Sequence, residues 1–200
     1  MKSYPTEQIR NVALIGHSGA GKTIVAEAML LTSGAIARLG KVEDGSTVCD
    51  HDPEETKKGV SVSMALAPIE WRGFKINVID TPGSPDFEGD VAAALRVADL
   101  AVFVVSGVDG PQVQTRQYWK AASKLGIPRA VFVNKLDRER SSFRDTVTSL
   151  ESALGRGFVP LQLPVGEEEA FEGLIDIAGG TGMAYSPGSP KGTTVSSPDL

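Results

Sequence analysis

Eight residues constrain this chain more than any others: GHSGAGKT at positions 16–23. They match G-x-x-x-x-G-K-[ST] and stand between an apolar run, NVALIG (11–16), and an amphipathic run, KTIVAEAMLLTSG (22–34). A buried strand feeding a glycine-rich turn and then a helix is the context in which this pattern cradles phosphate. Glycines let backbone amides curl around an anion, and the helix N-terminus adds a favourable dipole. Gly16, His17, Ser18, Gly19, Ala20, Gly21, Lys22 and Thr23 are therefore candidate nucleotide contacts. Lys22 is expected to reach the outer phosphates and the Thr23 hydroxyl to ligate Mg²⁺. Alone, the motif leaves ATP and GTP open.

The rest of the chain alternates short apolar runs with helical patterns, which predicts an α/β fold of parallel strands and crossover helices. VSMALAPIEW and FKINVID flank Arg72–Gly73 and predict an antiparallel hairpin. Residues 86–98 predict a helix, with Val91, Leu95 and Ala98 on one face. DLAVFVVS (99–106) and RAVFVN (129–134) predict buried strands, and Pro111 is expected to open a helix that Gly126 closes. Phe143, Val147, Leu150 and Leu154 recur at helical spacing, with Gly155 ending the helix. Residues 35–60 are polar without a clear period and predict a long mobile loop. The pattern changes near residue 157, where short strands replace the helix–strand alternation. Residues 186–200 are rich in Ser, Pro and Gly, so a disordered tail or truncated insert is expected there.

Two further motifs narrow the chemistry. NKLD (134–137) follows a predicted strand. A carboxylate at Asp137 can accept from both N1–H and the exocyclic amine of guanine; adenine would leave it unpaired, and sites built on such pairing discriminate strongly. The Lys135 stem can lie along the base, Asn134 can tie this loop to the phosphate loop, and Leu136 completes the set. DTPGS (80–84) follows the strand INVI. Asp80 is expected to face Mg²⁺ through water. Thr81, Pro82, Gly83 and Ser84 continue the nucleotide-binding loop, and the Gly83 amide can approach the γ-phosphate because no side chain intervenes. In KKGVSVS, Ser61 is the candidate hydroxyl to close over Mg²⁺, with Ser63 its competitor.

The order GHSGAGKT, KGVSV, DTPGSPDF, NKLD resembles the GTPase domain of translational GTPases, specifically elongation factor G. EDGSTVCD (43–50), DGPQVQT (109–115) and VPLQLPVGEEEAFEGLIDI (159–177) agree with it. The resemblance implies a P-loop NTPase with a mixed, mostly parallel sheet flanked by helices. Residues 1–157 would be the GTP-binding domain and 158–185 the beginning of an insert subdomain. It implies GTP/GDP and Mg²⁺ as ligands, the ribosome as partner of the intact protein, and a cytoplasmic location. Four positions depart from the family: Gly19 stands for aspartate, Ser61 for threonine, Lys58 for arginine and Ser84 for histidine. Such departures resemble the divergent elongation-factor-G-like paralogues of bacteria.

Catalysis would rest on Lys22 and Gly83, with Ser84 in the water-orienting place. Serine is short and carries no positive charge, so GTP binding with slow hydrolysis is expected. The alternative is a regulatory nucleotide-binding module without turnover. A ribosomal protection or peptide-release GTPase would be expected to keep the histidine, and NKLD argues against an ATP-dependent kinase. The family's later guanine-contacting Ser-Ala loop has no counterpart, since SAL (152–154) falls within a helical stripe.

Composition sets outer bounds. The net charge of −5 argues against a nucleic-acid-coating surface, so no sequence-specific DNA binding is expected. The single cysteine, Cys49, excludes a disulfide framework. No apolar run approaches a membrane span. His51 and the acidic run 167–169 are expected to be solvated, and His17 to be structural rather than catalytic.

Overall fold

A computed structural model describes residues 3–185, apart from the side chains at 56 and 58. The expectation for residues 186–200 and the Lys58 departure therefore lie outside the described residues. The chain divides into two compact units. One takes the described residues up to Val105 together with Gln112–Phe132; the other takes Ser106–Pro111 and the described residues from Val133 onward.

The first unit is built around strands β1 (Ile9–Ile15), β2 (Ala65–Trp71), β3 (Phe74–Asp80), β4 (Leu100–Ser106) and β5 (Arg129–Asn134). They form one sheet in the order β2-β3-β1-β4-β5. β1 runs parallel to β3 and β4, while β2 is antiparallel to β3. The expected mixed, mostly parallel sheet is thus observed. The β2–β3 hairpin turns on Arg72 and Gly73, both at positive φ (47° and 85°), the geometry a two-residue hairpin demands.

Period-2 alternation sends side chains to two cores. Ala13, Ile15, Ile79 and Phe103 pack with Val91 and Leu95 of α3 (Glu88–Val97) and Tyr118 and Ala122 of α4 (Val113–Lys124). Leu14, Val78, Ala67 and Ile69 pack with Ala26 and Leu30 of α1 (Lys22–Thr32). Phe103 meets Trp119 edge-on at 5.0 Å between ring centroids, and the Arg129 guanidinium covers the same indole at 4.4 Å.

Two expectations need correction. Pro111 does not open α4; Gln112 caps it, its N–H donating to the Thr115 hydroxyl at 3.2 Å. Residues 35–60 are not a structureless loop. They contain a helix, α2 (Pro53–Lys58), started by Asp52 and Glu55 in a capping box. They are also held by two buried carboxylates. Glu27 of α1 accepts from the amides of Gly40 (3.0 Å) and Val48 (2.5 Å). Glu55 accepts from Val62 (2.9 Å) and Ser63 (3.2 Å). Burial opposes the charge on Glu55, but the amides of Val62, Asp52 and Ser63 outweigh it and hold its pKa below the usual range.

In the second unit, α5 (Phe143–Leu154) follows the NKLD loop, and SAL (152–154) lies within it. Beyond it β6 (Gln162–Val165), β7 (Gly173–Asp176) and β8 (Thr181–Ala184) form a separate antiparallel sheet in that order.

Candidate functional site

The phosphate-loop sequence occupies the turn between β1 and α1. Gly21, the residue before the helix, sits at φ 94°, a conformation glycine adopts without strain, and α1 begins with no side-chain cap. An uncapped helix start presents backbone amides to an anion. Gly16 packs against the Val104 carbonyl so closely that a Cβ there would overlap it. Lys22 is 6% exposed and its ammonium donates to the His17 carbonyl at 3.1 Å, closing the loop across its mouth. Burial lowers the Lys22 pKa, while Asp80 and Asp50 oppose that shift. The His17 ring contacts its neighbour's carbonyl, Ser18 O, at 2.6 Å through Nδ1.

Beside Lys22 lies a cluster of hard oxygen atoms. The Thr23 hydroxyl donates to Asp80 Oδ2 at 2.7 Å and lies 3.3 Å from the Ser61 hydroxyl. Ser61 in turn donates to Asp50 Oδ1 at 2.7 Å. Ser63 is directed elsewhere, to Glu55. Asp80 Oδ1 is buried and has no hydrogen-bond partner. An orphaned carboxylate oxygen beside two hydroxyls is a donor set suited to Mg²⁺, which prefers oxygen ligands. Among the described residues no group of three or more His, Cys, Asp or Glu is placed to hold a metal ion.

Asp80 is 2% exposed, and burial pushes its pKa up to about 6 despite the Thr23 bond and the Lys22 charge. The folded chain therefore holds this proton more tightly than the unfolded one, whose value is 3.8. Stability from this group is greatest below the unfolded value and falls as pH rises to about 6, by about 3 kcal/mol in all. Asp80→Asn is expected to flatten that part of the pH–stability curve and raise the nucleotide-free melting temperature at pH 7. Thermal melts at pH 4, 5, 6 and 7 check it. The same variant is expected to lose any Mg²⁺-dependent stabilisation.

Gly83 lies against the phosphate loop: a Cβ would stand 2.5 Å from Ser18 N and 2.6 Å from Lys22 Nζ. Pro82 is buried with it. Thr81 is fully buried and spends its hydroxyl on the Leu14 carbonyl at 2.7 Å, so its side chain serves the sheet. Ser84 caps the short 3-10 turn Pro85–Phe87, a turn favoured by proline in its first position. Its hydroxyl accepts from Asp86 N at 3.4 Å and donates to Asp86 Oδ2 at 3.2 Å.

The NKLD sequence forms a loop in the second unit. Gly107 N donates to the Asn134 carbonyl at 2.7 Å, and the Ser141 hydroxyl to the Leu136 carbonyl at 2.9 Å. Lys135 has φ 62°, Leu136 is buried and Asp137 is exposed.

The elongation factor Tu GTP binding domain model matches residues 7–187. The chain belongs to that family. Elongation factor G 1 of Geobacter sulfurreducens is 39% identical over 196 residues, covering 98% of this chain and 28% of that protein. The elongation factor G-like protein of Mycobacterium tuberculosis H37Rv is 40% identical, covering 90% of this chain and 24% of that protein. A solved structure from Thermus thermophilus superposes with a TM-score of 0.84 at 40% identity, over 91% of this chain and 27% of that one. The chain thus spans about a quarter of the length of these relatives. Membership carries the P-loop GTPase fold and guanine-nucleotide binding in general. Among the described residues no helix is long and apolar enough to cross a membrane.

Sequence reasoning missed three carboxylates. Asp50 reaches the Ser61 hydroxyl, and Glu27 and Glu55 brace the loop on either side of it. The partners just named lie 7 to 21 positions away, mostly backbone amides, and only the local Asp52–Glu55 capping box leaves a pattern in the sequence. The acidic run also differs from expectation. Glu167 and Glu168 accept from backbone amides rather than facing only water. Cys49 is buried, and that burial drives its thiol pKa upward, away from a reactive thiolate.

Proposed function

We propose that this chain is the nucleotide-binding part of an elongation-factor-G-type switch that holds GTP firmly and hydrolyses it slowly. The observation that carries binding is the cluster of Lys22, Thr23, Ser61 and Asp80 at the mouth of the phosphate loop, with one Asp80 oxygen left unpaired. The loop amides from Gly16 to Thr23 would take the phosphates, and Lys22 the outermost charge. Thr23 and Ser61 would ligate Mg²⁺, with Asp80 bonded through water; the ion, when bound, neutralises phosphate charge. Asp50 keeps the Ser61 hydroxyl facing Thr23. The Gly83 amide would bond the γ-phosphate, and Asn134, Lys135 and Asp137 would take the base.

Slow hydrolysis rests on Ser84. Its hydroxyl is already engaged with Asp86, and the family histidine it replaces has greater reach and a chargeable ring. Ribosome coupling and a cytoplasmic setting belong to the same proposal, supported by the names of the relatives. So does the reading of the separate three-stranded sheet as the start of an insert. The four departures at Gly19, Lys58, Ser61 and Ser84 favour the divergent paralogue group, since 39% and 40% identity do not separate it from the main factor.

The test is single-turnover GTP hydrolysis by the full-length protein with and without ribosomes, comparing wild type with Ser84→His. A gain of about a hundredfold is expected, the scale of a positioned acid–base group, less the loss of one turn cap. Rapid ribosome-stimulated turnover with Ser84 intact would overturn slow hydrolysis. If Ser84→His gains nothing, the regulatory module without turnover is the better reading, which the engaged Ser84 hydroxyl also favours.

A further inference from the structure

We infer that Glu168, on the turn between β6 and β7, is a positioning residue for the base-selecting loop and tunes how tightly that loop holds guanine. The inference rests on the GTP reading above and deepens it. Glu168 grips the loop from both ends. Its amide donates to the Leu136 carbonyl at 2.9 Å, and its carboxylate accepts from the Arg140 amide at 2.7 Å. These two contacts bracket Asp137. The neighbouring Glu167 carboxylate accepts from the Phe143 amide at 2.9 Å, fastening the first residue of α5.

Backbone conformation marks the same place. Of the non-glycine residues at positive φ among those described, Lys135 (62°), Arg140 (63°) and Glu168 (55°) all belong to this clasp; Arg72 sits in a hairpin turn instead. Such conformations persist only where the surroundings over-determine them, and they cluster at ligand clamps. Charge adds to the case. Asp137, Glu139, Glu167, Glu168 and Glu169 share the walls of a hollow of about 500 Å³ with Arg138. Like charges repel, so this proximity is kept against a Coulomb cost by the amide bonds. Asp137 is exposed, so its carboxylate is aimed by the backbone that carries it rather than by packing. Whatever fixes residues 136–140 therefore fixes the group that would read the base.

Glu168→Gly removes the carboxylate, keeps the amide and adopts the positive φ freely. GDP affinity is expected to fall about tenfold, the effect of one charge-assisted hydrogen bond. IDP, which lacks the exocyclic amine, should lose less, so the GDP-to-IDP affinity ratio narrows. Glu168→Gln retains an acceptor oxygen and is expected to stay within about threefold of wild type. In the wild-type chain, GDP should slow amide exchange at both Arg140 and Glu168. If wild type prefers GDP to ADP and Glu168→Gly leaves the GDP-to-IDP ratio unchanged, this inference alone is overturned. If wild type shows no preference for GDP over ADP, the GTP reading falls and this inference with it. Should Glu168→Gly fail to fold, wild-type exchange decides: no GDP-dependent slowing at Glu168 overturns the proposal.

Discussion

Asp137→Asn is expected to lower GDP affinity by roughly a hundred- to a thousandfold while improving affinity for XDP. Two hydrogen bonds to a charged acceptor are at stake, each of about 1.5–3 kcal/mol. Asparagine still offers one carbonyl, but its amide group meets the guanine amine donor to donor. Xanthine carries a carbonyl where guanine carries that amine, so the same amide becomes complementary. A site that reads by polar pairing thereby exchanges one base for another. Asp137 is exposed and its loop is held through backbone contacts to Gly107 and Ser141, so the substitution leaves the loop itself standing. Competition titrations with GDP, XDP and ADP measure the change. Unaltered GDP affinity would remove Asp137 from base recognition.

Gly83→Ala should separate nucleotides by their γ-phosphate. The added methyl would stand 2.5 Å from a backbone nitrogen, Ser18 N, which cannot yield, and 2.6 Å from Lys22 Nζ, which can only yield by leaving the mouth of the loop. The segment carrying residue 83 must therefore move away. Overpacking of this kind costs about 1–3 kcal/mol. The larger effect is on function, because the residue 83 amide no longer reaches a terminal phosphate. Affinity for a non-hydrolysable GTP analogue is expected to fall about ten- to a hundredfold, while GDP changes by no more than a fewfold. Parallel titrations of the two nucleotides with Mg²⁺ present measure this. An equal loss for both would mean that the substitution had disordered the phosphate loop as a whole.

What can be read in advance follows from where each contact lies along the chain. GHSGAGKT, the Arg72–Gly73 hairpin and the α5 stripe announce themselves because their determinants are neighbours in sequence. Ser61 over Ser63 can be proposed but not decided, since both are serines two residues apart; Asp50 and Glu55, taking one each, separate them. Residues 35–60 hide much of their order because it comes from outside the segment. Gly40 and Val48 are fastened to Glu27, a residue that looks like one more polar position on an amphipathic helix. In sequence, Ser84 stands out only as an absent histidine. Its engagement with Asp86 beside Pro85 gives it a capping role that the triplet Ser-Pro-Asp already contains.

Thr81 anchors the loop that carries Gly83. Its buried hydroxyl rivets the end of β3 to the Leu14 carbonyl of β1, two residues before Gly83. A pull on Gly83 would meet this buried bond before it reached the sheet. With the Thr81 hydroxyl anchored to β1 and α3 packed into the core, a displacement at Gly83 would have to be taken up between them, in the Ser84 turn.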